Sequence, residues 1–281
     1  MTPSSSPNRL PAETRLGRCA LTVSDLTEQI SFYRDVVGLV VFERSPTTAV
    51  LGAGETSLLI LERDEDAPAR SETGAGLYHN AFRVPSRPAL GAALERIRSR
   101  WRLDGAADHL VSEALYLTDP EGNGVEIYRD FPREDWPRTD SGRVQMGTDP
   151  LDRSQLAADS TGAETAPPAT DLGHIHLEVT SLSAFEAFYV DTLGFEAQMT
   201  TSNVAFVSAG GYHHHLGANI WNRRTTAQAG RGIAWFELCV PDEQALEAIT
   251  QRLEDSDTTY TRESGIVVTD PDGISVRLQV D

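Results

Sequence analysis

Two stretches of this 281-residue chain repeat one another. Residues 26–42 read LTEQISFYRDVVGLVVF, and residues 182–197 read LSAFEAFYVDTLGFEA. The shared FYxDxxG core has apolar residues at helical spacing and a glycine, Gly38 or Gly194, where a helix would stop. An alternating strand precedes each copy, GRCALTV at 17–23 and GHIHLEV at 173–179. A second pair of segments, GLYHNAFRVP (76–85) and GIAWFELCVP (232–241), also matches, and each runs on through a helix to an Asp-Pro-acidic-Gly turn at Asp119 or Asp270. Such a repeat constrains the fold strongly, because each unit must bury its face against a sister unit. The chain reads as α+β: four units of about 50 residues, each a strand, a helix and three strands.

The spacing sets two halves, residues 12–135 and 170–281, with two units each. Residues 136–169 between them are rich in Pro, Asp, Thr and Gly, which predicts a linker or a lightly structured crossover. The polar segment 1–11 is expected to be disordered. It contains no apolar stretch of the kind a signal peptide carries, and no run of about 18 apolar residues occurs anywhere. These features predict a cytoplasmic chain without a membrane span.

Charge narrows the partners. The 24 basic residues are all Arg, against 42 Asp plus Glu, a net charge of −18. A surface this negative repels nucleic acid and anionic lipid. Acidity without Lys points to a salt-loving microbe, where screening shortens self-repulsion to about 3 Å. An acidic enzyme from a high-GC genome has the same bias, and composition leaves both open. Cys19 and Cys239 lie in apolar strands without partner spacing, against a disulfide scaffold or a Cys-based zinc site.

The histidines carry the chemistry. His79 and His174 occupy matching places in the second and third units, each five residues before a strand valine, Val84 or Val179. The same place holds Arg18 in the first unit and Trp235 in the fourth. Glu126 follows the Asp119 turn between Val125 and Ile127; its expected counterparts are Arg277 in the fourth unit and Asn219 in the third. A glutamate between apolar strand neighbours is costly to bury unless paired or metal-bound. Two histidines and one carboxylate compose a face that leaves three positions open on Fe(II), enough for a chelating substrate and dioxygen. Mn(II) fits the same ligands. A complete triad requires the second unit to face the third, leaving the first to pair with the fourth.

The repeated FYxDxxGF helix, the DPxGN turn, and the stretches DHLVSEALYLTDPEGNGVEIYRDFPR (108–133), GHIHLEV and FVSAGGYHHHLGANIW (206–221) resemble the vicinal oxygen chelate superfamily of glyoxalases, bleomycin-resistance proteins and extradiol dioxygenases. Over nearly its whole length the chain is similar to the bacterial catechol 2,3-dioxygenase group. The resemblance implies βαβββ modules paired into two open, curved β-barrel-like halves. It also implies Fe(II)-dependent opening of a catechol by O2 to a 2-hydroxymuconic semialdehyde-type product, and an oligomer. His215, as HxxAN, resembles the family's acid–base histidine, while His109 and Tyr116 resemble the pair that bonds the bound catecholate. Alternation groups His213, His215 and Asn219 on one face, with Asn219 at the place of a fourth ligand in glyoxalases. The triple histidine also reads as a surface metal-scavenging patch. His176 shares a face with His174, as a bonded neighbour or an alternative ligand. Two other readings stand beside the dioxygenase: a glyoxalase-like metal-dependent isomerase or lyase, and a non-enzymatic small-molecule-binding protein.

Overall fold

A computed structural model describes residues 9–140 and 142–281. The first unit comprises β1 (Arg15–Val23), α1 (Leu26–Phe32), β2 (Val40–Arg44), β3 (Thr48–Ala53) and β4 (Thr56–Arg63). The second comprises β5 (Gly76–Arg83), α2 (Arg87–Arg100), β6 (Gly105–Asp108), β7 (Ser112–Thr118) and β8 (Gly124–Asp130). A crossover carries β9 (Asp149–Pro150) and α3 (Arg153–Ala158). The third unit follows as β10 (Asp171–Glu178), α4 (Leu182–Glu186), β11 (Glu196–Thr200), β12 (Val204–Ser208) and β13 (Leu216–Asn219). The fourth is β14 (Gly232–Val240), α5 (Glu243–Asp255), β15 (Tyr260–Arg262), β16 (Ile266–Thr269) and β17 (Ser275–Val280).

All four units thus have the strand–helix–three-strand order. The FYxDxxG segments explain part of it. Asp25 caps α1 by accepting from the Thr27 and Glu28 N–H groups, and the helix then widens into a π turn over Tyr33–Val37. Gly38 ends it at φ +94° and Gly194 ends the third unit's copy at +95°, backbone angles that a Cβ disfavours. The motif tyrosine is buried and its hydroxyl donates to the aspartate of the following unit's turn. Tyr33 reaches Asp119 at 3.3 Å and Tyr189 reaches Asp270 at 3.0 Å. Each turn is closed by its own aspartate, which accepts from backbone N–H groups two and four residues on.

The strands form two open sheets, ordered β15-β16-β17-β14-β1-β4-β3-β2 and β11-β12-β13-β10-β5-β8-β7-β6-β9. Antiparallel pairing of β1 with β14 joins the first unit to the fourth, and that of β10 with β5 joins the third to the second. This is the pairing that a complete triad requires. Each sheet therefore takes one unit from each half of the chain. The helices supply apolar faces to a continuous core that includes Ile30, Leu94, Phe185 and Ile249.

The crossover differs from a loose linker. Leu156 of α3 is fully buried against α2, and at Gly91 of α2 a Cβ would come within 2.5 Å of the Leu156 carbonyl, so glycine permits the close approach. Trp136 and Val144 form a second buried cluster with Val111 and Tyr212, and β9 extends the sheet edge at β6. Of the segment expected to be disordered, residues 1–8 lie outside the described residues. Residues 9–11 contradict that expectation, because Leu10 is buried and donates its N–H to the Gly194 carbonyl at 2.8 Å. No helix among the described residues is long and apolar enough to cross a membrane.

Candidate metal centre

His79 on β5, His174 on β10 and Glu126 on β8 meet on the concave face of the nine-stranded sheet. The register explains why: β5 and β10 are adjacent antiparallel strands, and Glu126 stands beside Ala81, whose small side chain leaves room. His79 Nε2 lies 3.0 Å and His174 Nε2 3.1 Å from Glu126 Oε2, and the two nitrogens are 3.3 Å apart. Three polar atoms this close to one another have room for few protons between them. One cation satisfies all three. Ligands about 2.1 Å from an ion and at right angles lie about 3.0 Å apart, so the spacings fit one face of an octahedron.

All three side chains are buried. Burial alone would push the Glu126 carboxyl up, but the His174 and His79 contacts hold it well below the usual carboxylate range. Burial pushes His174 down to about 4, against the pull of Glu126, so the ring is neutral and able to ligate at neutral pH. Its Nδ1 has no hydrogen-bond partner. The ring is held instead between Tyr128 and His214, at centroid distances of 4.7 and 4.2 Å.

Tyr116 lies directly across the β7–β8 ladder from Glu126. Its hydroxyl donates to His109 Nε2 at 2.6 Å, and His109 Nδ1 must donate to the Gly147 carbonyl at 2.7 Å, since a carbonyl only accepts. The crossover thereby fixes the His109 tautomer. Burial and the Glu126 charge push the Tyr116 phenol well above its ordinary value, keeping it protonated. The predicted pair is therefore brought together beside the triad.

The triple histidine differs from the expected arrangement. His214, not His215, lines the cavity above the triad. His215 is turned away: its Nδ1 accepts from the Ala209 N–H at 3.1 Å, and its ring lies near Tyr212 and Phe195. Burial, with the charges of His213 and Arg83, pushes it down to about 3. His213 lies behind His214 and bonds Asp130 at 2.9 Å. All three are buried, which removes the surface-patch reading. Strand alternation fails here because β13 begins only at Leu216, after a turn in which Gly210 and Gly211 both have positive φ.

Asn219 is also displaced from its expected role. Ala81 pairs with Glu126, and its sister position His176 pairs with Gly217, so the counterpart of Glu126 in the third unit is Gly217. Asn219 lies two residues further on, donating to His176 Nε2 at 3.1 Å and accepting from the Trp221 N–H. His176 is thus a bonded neighbour, packed by Tyr78, Phe206 and Trp221.

The cavity over the triad measures about 570 Å³. Sequence reasoning missed much of its wall: Ala106 and Ala107 of β6, Met146 and Thr148 of the crossover, and Met199 and Val204 of the third unit. Their signal was hidden in segments read as polar linker or plain strand. Among the described residues no arginine lines this cavity, but Arg70 and Arg224, both paired with Glu178, line an adjoining pocket that shares Tyr78, His79 and Tyr116. Among the described residues the eight-stranded sheet has no cluster like the triad. At the sister places stand Arg18, Trp235 and Arg277, with Ile60 at the place of Gly217, and Arg277 stacks on Trp235 with its guanidinium carbon 3.7 Å from the ring centroid.

Comparison with known proteins agrees with this architecture. The family model described as "Glyoxalase/Bleomycin resistance protein/Dioxygenase superfamily" matches residues 15–127 and 171–278. A catechol-2,3-dioxygenase of Bacillus subtilis (strain 168) is 39% identical over 253 residues, covering 86% of this chain and 88% of the relative. Among solved structures, one from Bacillus subtilis subsp. subtilis str. 168, provisionally described as a dioxygenase, aligns with a TM-score of 0.66 at 12% identity, covering 97% of this chain and 86% of that one. Glyoxalase I from Zea mays aligns at 0.60 and 16% identity, covering 95% and 92%. At those identities the structures speak for the fold. The two matched segments, with the repeated βαβββ units that fill them, place this chain in the glyoxalase/bleomycin resistance protein/dioxygenase superfamily.

Proposed function

We propose that this chain is an extradiol ring-cleaving dioxygenase, opening a catechol with O2 at a non-haem Fe(II) centre to a 2-hydroxymuconic semialdehyde-type product. The observation that carries the reading is the facial spacing of His79, His174 and Glu126 beneath a largely apolar cavity. The relative named as a catechol-2,3-dioxygenase supports it. The ion would be held by those three side chains, with Mn(II) as an alternative to iron. When bound it supplies positive charge that favours the catecholate, and open positions for substrate and oxygen.

The remaining groups divide the work. Tyr116, its proton directed at His109, presents its oxygen as an acceptor that orients a catechol hydroxyl. His109, with its Nδ1 anchored on Gly147, accepts the Tyr116 proton in a fixed hydrogen bond and holds the hydroxyl in that orientation. His214 takes the acid–base place expected of His215, because it faces the cavity. Phe206, Trp221, Met146 and Met199 hold the ring and exclude water.

The isomerase reading is weaker because Gly217, at the symmetric place of Glu126, offers no fourth ligand. To test the proposal, the purified chain is loaded anaerobically with Fe(II) in high salt, given catechol and exposed to oxygen. Oxygen uptake with the yellow ring-fission product supports it. Bound iron without uptake on any catechol moves the reading to an isomerase, and failure to bind iron favours a sequestering protein.

A further inference from the structure

Behind His214 a line of polar side chains leads away from the cavity. His214 Nδ1 faces His213 Nδ1 at 2.8 Å, and His213 Nε2 faces Asp130 Oδ1 at 2.9 Å. The other carboxylate oxygen, Asp130 Oδ2, accepts from Tyr212 Oη at 2.9 Å and from Arg83 Nη1 at 3.0 Å. Tyr212 Oη is itself 2.8 Å from Tyr128 Oη. His213 is 1% exposed and His214 9%, so the contact between the two rings is shielded from water, while the Asp130 side chain is 17% exposed.

With the His213 ring neutral, the chemistry of each atom fixes the direction of these bonds. Arg83 can only donate, and Asp130 is a carboxylate that shares this guanidinium with Asp171. Burial opposes ionisation of Asp130, but the His213 bond and the Arg83 charge hold its carboxyl below the ordinary range. Asp130 Oδ1 must therefore accept, and His213 Nε2 must carry the proton. In a neutral imidazole the other nitrogen is then an acceptor, so His213 Nδ1 accepts from His214 Nδ1–H. That leaves His214 Nε2 without a proton, at the end of a cavity-lining ring opposite the Nδ1 bond to His213.

We infer that Asp130 and His213 are positioning residues that lock His214 in its Nδ1–H tautomer and so present Nε2 to the cavity as a ready base. The tautomer follows from these bonds alone; its consequence for turnover rests on the dioxygenase reading. A substrate hydroxyl can then hand its proton to Nε2, while the Nδ1 proton stays on His214 and keeps its bond to His213 Nδ1.

The isosteric change Asp130→Asn tests this sharply. Arg83 and Tyr212 both donate, so the amide oxygen of the variant turns toward them and its NH2 toward His213. His213 Nε2 must then accept, its Nδ1 must donate, and His214 is forced into the Nε2–H tautomer. Histidine 15N NMR on the full chain with Zn(II) at pH 8 reads this directly. In the wild type the account requires a pyrrole-like Nδ1 and a pyridine-like Nε2 at His214, and in D130N the reverse. With Fe(II), kcat of D130N should fall by about 100-fold or more, with KM and metal content changed less than about twofold.

A wild-type His214 already protonated at Nε2 would overturn the inference, whether or not D130N folds. An unchanged tautomer in D130N would overturn it too. A flipped tautomer with unchanged kcat would remove the catalytic role. If the wild type cleaves no catechol yet shows the Nδ1–H tautomer, the relay stands and the dioxygenase reading fails.

Discussion

The two sheets share one architecture and differ at their centres. In each, two units meet through their first strands, and in each the concave face presents the same set of places to whatever sits there. One sheet fills them with His79, His174, Glu126 and Gly217; the other with Arg18, Trp235, Ile60 and Arg277. Converging acceptor atoms in the first invite a cation. Two guanidinium groups around an indole in the second repel one, and the Arg18–Glu237 pair occupies the remaining space. The lesson is that the fold provides two equivalent cradles, and side-chain chemistry alone makes one of them a site.

This contrast can be broken or sharpened by substitution. Glu126→Gln should have the largest effect. It removes the one anionic ligand and should lower metal affinity and turnover by more than about 100-fold, while the melting temperature of the metal-free chain changes little. Metal content after dialysis, beside oxygen uptake, reads it. Normal iron retention in this variant would remove the asymmetry.

Trp235→Ala addresses the other sheet. The indole is 5% exposed and packs with Ala20 and Ile60, so its loss should cost about 3–5 kcal/mol of stability. Metal stoichiometry should not move. Chemical denaturation and metal analysis on the same sample separate the two effects.

The matched pair Tyr33→Phe and Tyr189→Phe should behave alike, because the tyrosine-to-turn bond is common to both halves. Each should cost about 1–3 kcal/mol by leaving a buried acceptor with one donor fewer. A large loss of metal from only one of them would show that the turns serve the site after all.

A smaller effect concerns pH. Burial pushes the Asp270 carboxyl up to about 6, despite the Ile274 N–H and Tyr189 hydroxyl that favour its ionised form. A raised carboxyl means that the folded chain holds the proton more tightly than the unfolded one. Its favourable contribution is therefore present at low pH and is lost as pH rises from about 4 to about 6. Asp270→Asn should lack this loss, so the melting-temperature difference between variant and wild type should shift in favour of the variant between pH 4.5 and 7.

Much of this was legible in the chain itself. The repeat fixed the order of elements, and the positions of His79, His174 and Glu126 within it dictated which units had to face one another. The rest was hidden for local reasons. Residues 209–215 leave the strand at Gly210 and Gly211, so alternation could not tell His214 from His215. Asn219 was misaligned by two residues, because strand register is set by pairing with β10 and not by distance from a motif. Leu156, Met146 and Gly147 lie among polar residues whose composition masks their packing. The His213–Asp130 bond joins residues 83 positions apart, and no local pattern announces it.

The most direct test is anomalous X-ray diffraction from crystals of the full chain loaded with Fe(II) or Mn(II). One ion per chain, bound by His79, His174 and Glu126 with no signal near Trp235, is the expected result. An ion held elsewhere, or a second one in the eight-stranded sheet, would contradict the assignment of a single metal centre to this fold.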